Sequence, residues 1–475
     1  MEEAPNKPLP THVAMLPTPG MGHLIPFIEL ARKLNQQHNF ITITFILPDD
    51  GLNMKPQKAL LKSINFINTI FLPPVNFDDL PENTTLETRI SLTVIRSLHS
   101  VRESLSQLNE SIGLSAFIVD MFGALSFDVV KDLGVPLYIF FTSAAMILSL
   151  ALHFPKLDEL TDSEYRDLPE PVKIPGCVPV HGSDFPDTLQ DKKSQTYEGM
   201  LELCRKYQLA EGILVNGFLD LEPDIYKAFE AQDHGLGGIN IPPVYPVGPL
   251  VRTRLGDNNE DDKVECLKWL DEQPNGSVLF VSFGSGGTLS REQLKELGLG
   301  LEMSGQRFLW VVKSPSHDKV KYATYFTFAD DDLDPLEFIE RTNAKGFLLA
   351  QWAPQIEILS HRAVGGFVTH CGWNSTLESI IHGVPLIAWP LFAEQKMNAV
   401  LLSEDLKVAF RVRENENGVV DSEQIAKLGT SLIEGEEGME LRNRIRNIQG
   451  AAIQALSQDG HSTKSLAKVV EKWIN

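Results

Sequence analysis

Residues 352–395 read WAPQIEILSHRAVGGFVTHCGWNSTLESIIHGVPLIAWPLFAEQ. Within them 364–369 is a short apolar run of strand character, and His370-Cys371-Gly372 is a turn. Asn374 or Ser375 opens a helix that Gly383 closes. A strand that hands its turn to a helix N-terminus is the building unit of a parallel α/β sheet. It also sets His370, the Asn374 side chain and the Ser375 amide and hydroxyl at the positive end of a helix, where a diphosphate can be held without a cation. Glu378 falls three and four residues beyond Ser375 and Asn374, on the same helical face, and its carboxylate can accept from a pair of ribose hydroxyls. Trp352 offers an indole plane to a planar base, worth roughly 1–3 kcal/mol when stacked. Glu394 and Gln395 follow a proline-bounded strand whose end can open into a cleft. The parts match a nucleoside diphosphate with a polyhydroxylated group beyond it.

The same strand–turn–helix order recurs outward in both directions. Strands are expected at 12–16, 40–47, 116–119 and 135–141, with a Pro/Gly turn at 17–22, a helix at 25–34, and a second helix from Asp120 through Val130. The run PPVYPVGP at 242–249 and the acidic stretch after it read as a linker. Beyond it the pattern restarts, with strands at 277–283, 308–312, 346–349, 364–369 and 385–388 and a helix from about Arg291. Two doubly wound parallel-sheet domains facing a shared cleft are therefore expected, because such folds bind ligands where strand C-terminal loops gather. The boundaries are 1–249, a linker at 250–263, 264–455, and a tail at 456–475. The apolar stripe Leu466, Val469, Val470 and Trp473 in that tail should pack back on the first domain.

Composition narrows the function classes. The 475 residues carry 42 Lys and Arg against 63 Asp and Glu, a net charge of −21, which disfavours nucleic acid and anionic membranes as partners. Apolar residues make up 43% and charged residues 22%, an ordinary globular balance that excludes disorder. The four cysteines form no C-x-x-C pair, against a disulfide scaffold or a thiolate metal site. The opening MEEAPNKPLP lacks the basic-then-apolar order of a signal peptide, and no run reads as a membrane span, so a cytoplasmic, monomeric protein is expected.

Two glycine turns, PTPGMGH at 17–23 and FGSGG at 283–287, can each cradle an anion ahead of a helix. Neither is the dinucleotide fingerprint G-x-G-x-x-G, a P-loop, or a G-x-S-x-G nucleophile elbow. With these turns, residues 352–395 resemble, nearly position for position, the signature box of the plant family 1 UDP-sugar glycosyltransferases. PTPGMGHLIP, IPGCVPVHG, ECLKWLDEQP and SVLFVSFGSGGTLS are most similar to the branch acting on hydroquinone, monolignols and indoxyl. The resemblance implies a GT-B fold and an inverting transfer of glucose from UDP-glucose to a small phenol-like hydroxyl, without a metal or other cofactor. Donor-binding residues implied are Thr142, Ser285, Trp352, Ala353, Gln355, His370, Trp373, Asn374, Ser375, Glu378, Glu394 and Gln395. Among them Trp352 and Ala353 meet uracil and Glu378 the ribose. His370, Asn374, Ser375 and Ser285 take the phosphates, while Trp373, Glu394 and Gln395 meet the sugar, a terminal glutamine going with glucose. The segment 334–342, DPLEFIERT, is shorter than the family's usual Leu-Pro-x-Gly-Phe stretch before Glu-Arg-Thr.

Transfer to a phenol requires a base at the attacking oxygen. His23 ends the first glycine turn, and an imidazole of pKa about 6.5 suits a phenol of pKa about 10. Asp120 follows a strand whose C-terminal end should open beside it, where a carboxylate holds the imidazole tautomer. The family uses such a His–Asp pair at matching positions. Asp120 is equally placed to be an ordinary helix N-cap. Glu87, Ile90 and Phe122 are acceptor-pocket candidates that also read as a solvated helix charge and core. Asp330–332 have D-x-D spacing, yet FTFADDDLDP has the composition of a loop, so metal binding is not expected. N-glucosylation of anilines and glucosylation of flavonoids or coumarins are alternatives on the same machinery. A non-catalytic nucleotide-sugar sensor and an NAD(P)-dependent dehydrogenase are competing classes, the second lacking its glycine fingerprint.

Overall fold

Apolar runs that alternate with amphipathic segments fold, in the computed structural model, into two parallel sheets. Residues 11–474 are described, apart from 52–53, 81–83, 85, 232–240, 253–259, 314–340, 343–344 and 351–352. They divide into two compact units, one within Met1–Ser183, Thr188–Arg252 and Gln454–Asn475, the other within Asp184–Asp187 and Thr253–Ile453.

The first sheet comprises β1 (Thr11–Leu16), β2 (Ile41–Asp49), β3 (Ile67–Pro74), β4 (Ala116–Asp120), β5 (Leu137–Phe141), β6 (Gly212–Val215) and β7 (Val244–Pro246), in the order β3-β2-β1-β4-β5-β6-β7. The second comprises β8 (Val278–Ser282), β9 (Arg307–Val312), β10 (Gly346–Ala350), β11 (Val364–Thr369), β12 (Leu386–Ala388) and β13 (Ala409–Arg411), in the order β10-β9-β8-β11-β12-β13. The central strands are buried along their whole length, as sheets covered on both faces require. In both sheets the order reverses beside the first strand, between β1 and β4 and between β8 and β11. Chain connections diverge there and leave a crevice at the strand C-termini. His23 and Asp120 belong to the loops of the first crevice, and Gly284 and His370 to those of the second.

Local chemistry moves several boundaries from where the sequence placed them. The first helix is Met21–Gln37, not 25–34, so His23 lies in its first turn rather than before it. Gly20 makes this possible: its φ of 115° redirects the chain at once, and its carbonyl accepts from the Leu24 amide. After Asp120 the chain forms the 3₁₀ turns Met121–Ser126 and only a short α segment, Phe127–Val130. Val244–Pro246, inside the proline-rich run read as linker, is strand β7 at the sheet edge, where prolines cost no central ladder bond. The linker's last residues belong to the helix Glu260–Asp271. Among the described residues no helix is long and apolar enough to cross a membrane.

The tail forms the helices Glu436–Leu456 and His461–Ile474. Leu466, Val469, Val470 and Trp473 recur at helical spacing and are buried in the core under the first sheet, with Phe27, Phe45 and Phe140. The Trp473 ring meets Tyr138 of β5 edge-on, at 5.8 Å and 80°. Trp473→Ala leaves a cavity there, so the guanidinium midpoint should fall by the equivalent of about 3–5 kcal/mol. A shift below about 1 kcal/mol would mean that the helix is held mainly by its other contacts.

Candidate active site

At the first crevice a buried carboxylate gathers four donors. Asp120 is fully buried. Its Oδ1 accepts from the Thr18 hydroxyl at 2.8 Å and the Phe122 amide at 3.2 Å. Its Oδ2 accepts from His23 Nδ1 at 2.9 Å and the Thr142 hydroxyl at 3.3 Å. A carboxylate out of water needs such company. Asp120 is thus both the cap of the 3₁₀ turns that follow it and the partner of the imidazole, so the two readings of this residue are one structure.

A carboxylate facing Nδ1 requires the proton on that nitrogen, which puts the ring's lone pair on Nε2. The ring is 22% exposed, while the carboxylate behind it is not exposed at all. The arrangement is that of a base with one face to solvent and its counter-charge sealed behind. Phe122 closes one side, edge-on to the imidazole at 5.8 Å and 66°, and is itself buried. Thr142 lies in this network, 3.5 Å from His23 Nδ1. Glu87 is half-buried in the first turn of the helix Leu86–Ser111, and Ile90 is buried one turn later. Thr18 was not singled out in the sequence, although a short hydroxyl residue in the turn after a buried strand is its natural signal.

The second crevice is built on glycines around a histidine. His370 follows β11, and its ring lies between Gly284 and Gly372. A Cβ on Gly284 would come within 2.4 Å of the imidazole, and one on Gly372 within 2.4 Å as well. Gly284 also has a φ of 71°, left-handed backbone that side chains rarely adopt. Burial, and secondarily the charge of Lys313, push the His370 imidazole down to about 4, so the ring is neutral at physiological pH. Its Nδ1 is buried and has no hydrogen-bond partner among the described residues. Cys371 adopts a φ of 64°, pinned where its carbonyl accepts from Asn398 Nδ2 at 3.0 Å. Its thiol is pushed up to about 12, chiefly by burial, and is chemically quiet.

The helix after this turn is Trp373–His382, capped by Gly372 and closed by Gly383 at φ 66°. It begins one residue earlier than expected, because Gly372 takes the cap position. Asn374 and Ser375 therefore fall on its second and third residues, still within the first turn, where helix geometry supplies the N–H groups no intrahelical acceptor. Trp373 and Ser375 are buried, and Asn374 and Glu378 half-buried. Gln355, in the helix Gln355–Leu359, donates through Nε2 to Ser375 Oγ at 2.9 Å and Glu378 Oε2 at 2.6 Å. Ala353, half-buried, accepts through its carbonyl from the Gln355 amide at 2.8 Å. Trp352 and Asp330–332 lie outside the described residues.

Ser285 is exposed in the glycine turn, and Glu394 is half-buried, ahead of the short helix Gln395–Val400. Gln395 differs from the expectation that it opens into a cleft. It is 4% exposed, and its Oε1 accepts from the amides of Leu391 at 2.8 Å and Phe392 at 3.1 Å. A carboxamide satisfying two turn amides is cheaper than leaving them orphaned, so only its Nε2 could serve a ligand. Lys313, just past β9, was not anticipated. Its ammonium donates to the Gly284 carbonyl and, at 2.9 Å, to that of Ser285. A cation closing an otherwise apolar strand (FLWVV) was the available signal.

The chain is similar to known proteins along almost its whole length. Residues 256–419 match the family model described as UDP-glucoronosyl and UDP-glucosyl transferase. A hydroquinone glucosyltransferase of Rauvolfia serpentina is 53% identical over 98% of both chains. The structure of Phytolacca americana UGT2 complexed with UDP-2fluoro-glucose and pterostilbene superposes with a TM-score of 0.88 at 46% identity, covering 98% of this chain and 100% of that one. A UDP-glucosyltransferase from Polygonum tinctorium, capable of glucosylating indoxyl and solved in complex with 3,4-dichloroaniline, gives 0.89 at 44% identity, covering 99% and 100%. The chain belongs to the plant family 1 UDP-glycosyltransferases, enzymes of the GT-B fold with two parallel-sheet domains.

Proposed function

We propose that this enzyme transfers glucose from UDP-glucose to the hydroxyl of a small phenol-like acceptor and releases a β-glucoside and UDP. The observation that carries the reading is the 2.9 Å bond from His23 Nδ1 to a fully buried Asp120, behind a ring that reaches solvent. The names of the relatives support the substrate class: hydroquinone, indoxyl and a stilbene are small phenols or phenol-like rings.

The first unit takes the acceptor. His23 Nε2 accepts the acceptor's proton as its oxygen attacks the anomeric carbon, and Asp120 stabilises the imidazolium that forms. Thr18, Phe122 and Thr142 hold the carboxylate so that it turns neither its charge nor its lone pairs away. The bond between the anomeric carbon and the β-phosphate oxygen breaks with its electron pair leaving on UDP. One displacement from the face opposite an α-linked phosphate gives the β product. Phe122, Ile90 and Glu87 are the acceptor-side residues of this reading.

The second unit takes the donor. The amides at the start of the helix Trp373–His382, with Asn374, Ser375, Ser285 and the neutral His370, receive the diphosphate. A neutral imidazole donates a hydrogen bond without needing a counter-charge, which suits a group this buried. Glu378 and Gln355 receive the ribose, Trp352 and Ala353 the base, and Trp373, Glu394 and the Nε2 of Gln395 the sugar. Charge on the leaving UDP is met by backbone dipoles, with no metal ion and no other cofactor.

Three outcomes test this. His23→Ala and Asp120→Asn should each lower kcat roughly 10²–10⁴-fold while calorimetric UDP affinity stays within about twofold; equal loss of both quantities would make the pair structural. Gly284→Ala, strained at its φ and driven into His370, should weaken UDP roughly 10–100-fold, and unchanged affinity would remove the glycine turn from the donor site. Turnover should persist in excess EDTA, whereas inactivation restored by manganese would place a metal in the reaction.

A further inference from the structure

We propose that Lys313 is a positioning residue of the donor site, whose ammonium holds the Gly284–Ser285 turn in shape and supplies the positive charge against which the donor diphosphate binds. The inference rests on the functional reading above and adds to it a residue and a pH response.

Three observations converge on Lys313. It leaves the end of β9, beside β8, and reaches back to the turn that β8 delivers, donating to the carbonyls of Gly284 and Ser285. Those two carbonyls take two of its three N–H groups, and the third has no partner among the described residues. Nor is any carboxylate within ion-pair distance of Nζ among them, although the chain as a whole is strongly acidic. Among the described residues this partly buried ammonium is bonded only to neutral carbonyls, and burial lowers it to about 8. The atoms next to it are of the same kind: the exposed Ser285, and a His370 whose buried Nδ1 is also unpartnered. A cation and a helix N-terminus on one crevice favour an anion, and a diphosphate has the charge to satisfy both.

The sign of the pH response follows from linkage. An anion beside Nζ favours the charged ammonium and raises its pKa on binding. UDP affinity is then full below the free-enzyme value near 8, falls as pH rises through it, and binding takes up a proton in that range. Among the described residues, the other titratable groups facing Lys313 are silent there. His370 is neutral above about 4 and the Cys371 thiol is held near 12, while the turn from Phe283 to Thr288 carries no ionisable side chain.

The test is titration calorimetry of the full-length enzyme with UDP from pH 7 to 9, in buffers of different ionisation enthalpy. Wild type should lose about tenfold in affinity over that range and take up a fraction of a proton near pH 8. K313R keeps the charge but cannot titrate, so it should bind within about threefold of wild type at pH 7 with a flat profile and no proton uptake. K313M should lose roughly 10–100-fold at pH 7. If K313R is as weak as K313M, or if wild type and K313R share one pH profile, charge at this position is not used and the proposal is overturned. Wild-type proton uptake needs no variant, so a misfolded K313M leaves the test standing. Failure of wild type to bind UDP at any pH would bring down the functional reading itself.

Discussion

Everything chemical in this molecule depends on a constraint of parallel sheets. A strand whose two neighbours come from opposite directions along the chain must send its C-terminal loop away from that of one neighbour. The gap this leaves at the strand C-termini is the crevice where such folds bind ligands. The sheets repeat that arrangement at β1 and β4 and again at β8 and β11. In each gap a glycine with positive φ, Gly20 or Gly284, turns the chain at once, and a histidine occupies the space.

The two histidines show how little of a residue's chemistry lies in its identity. His23 has a buried carboxylate behind Nδ1 and an edge toward solvent, the conditions for taking a proton. His370 has two glycines and a lysine around it, with no carboxylate bonded to it among the described residues, and is held neutral to about 4. On the proposed reading, one changes charge during the reaction and the other avoids doing so. On the same reading, a chain with a net charge of −21 receives a diphosphate by local means: backbone dipoles, a neutral imidazole and one ammonium acting at short range, where the distant acidic surface is largely screened.

Much of this was legible in the sequence, for identifiable reasons. The central strands β1, β4, β8 and β11 are covered on both faces and read as unbroken apolar runs, so their turns could be placed too. The strands missed are at or near the edges: β3, exposed at most of its positions without a regular alternation, β6 with four residues, β13 with three, and β7 hidden among prolines. Their assignment depends on neighbours, which local pattern does not carry. Helix starts shifted where a glycine took the cap, at Gly20 and Gly372, because glycine's cap role depends on a dihedral that sequence does not state. The pairing of His23 with Asp120 was readable only as two strand ends in one fold. Thr18 and Lys313 each left only a weak local signal, since the partners that give them meaning, the Asp120 carboxylate and the Gly284 and Ser285 carbonyls, are brought near by tertiary structure. Gln395 was found by position, but its carboxamide oxygen proved to be spent on its own turn.

The central claim is that the buried carboxylate fixes the protonation geometry of the histidine in front of it. The most direct measurement is the pair of ¹⁵N chemical shifts of the His23 imidazole, taken by NMR on selectively labelled enzyme at a pH where the ring is neutral. The account predicts a proton on Nδ1 and an unprotonated Nε2. A proton on Nε2 would contradict it, because the nitrogen meant to receive the acceptor's proton would have no lone pair to offer.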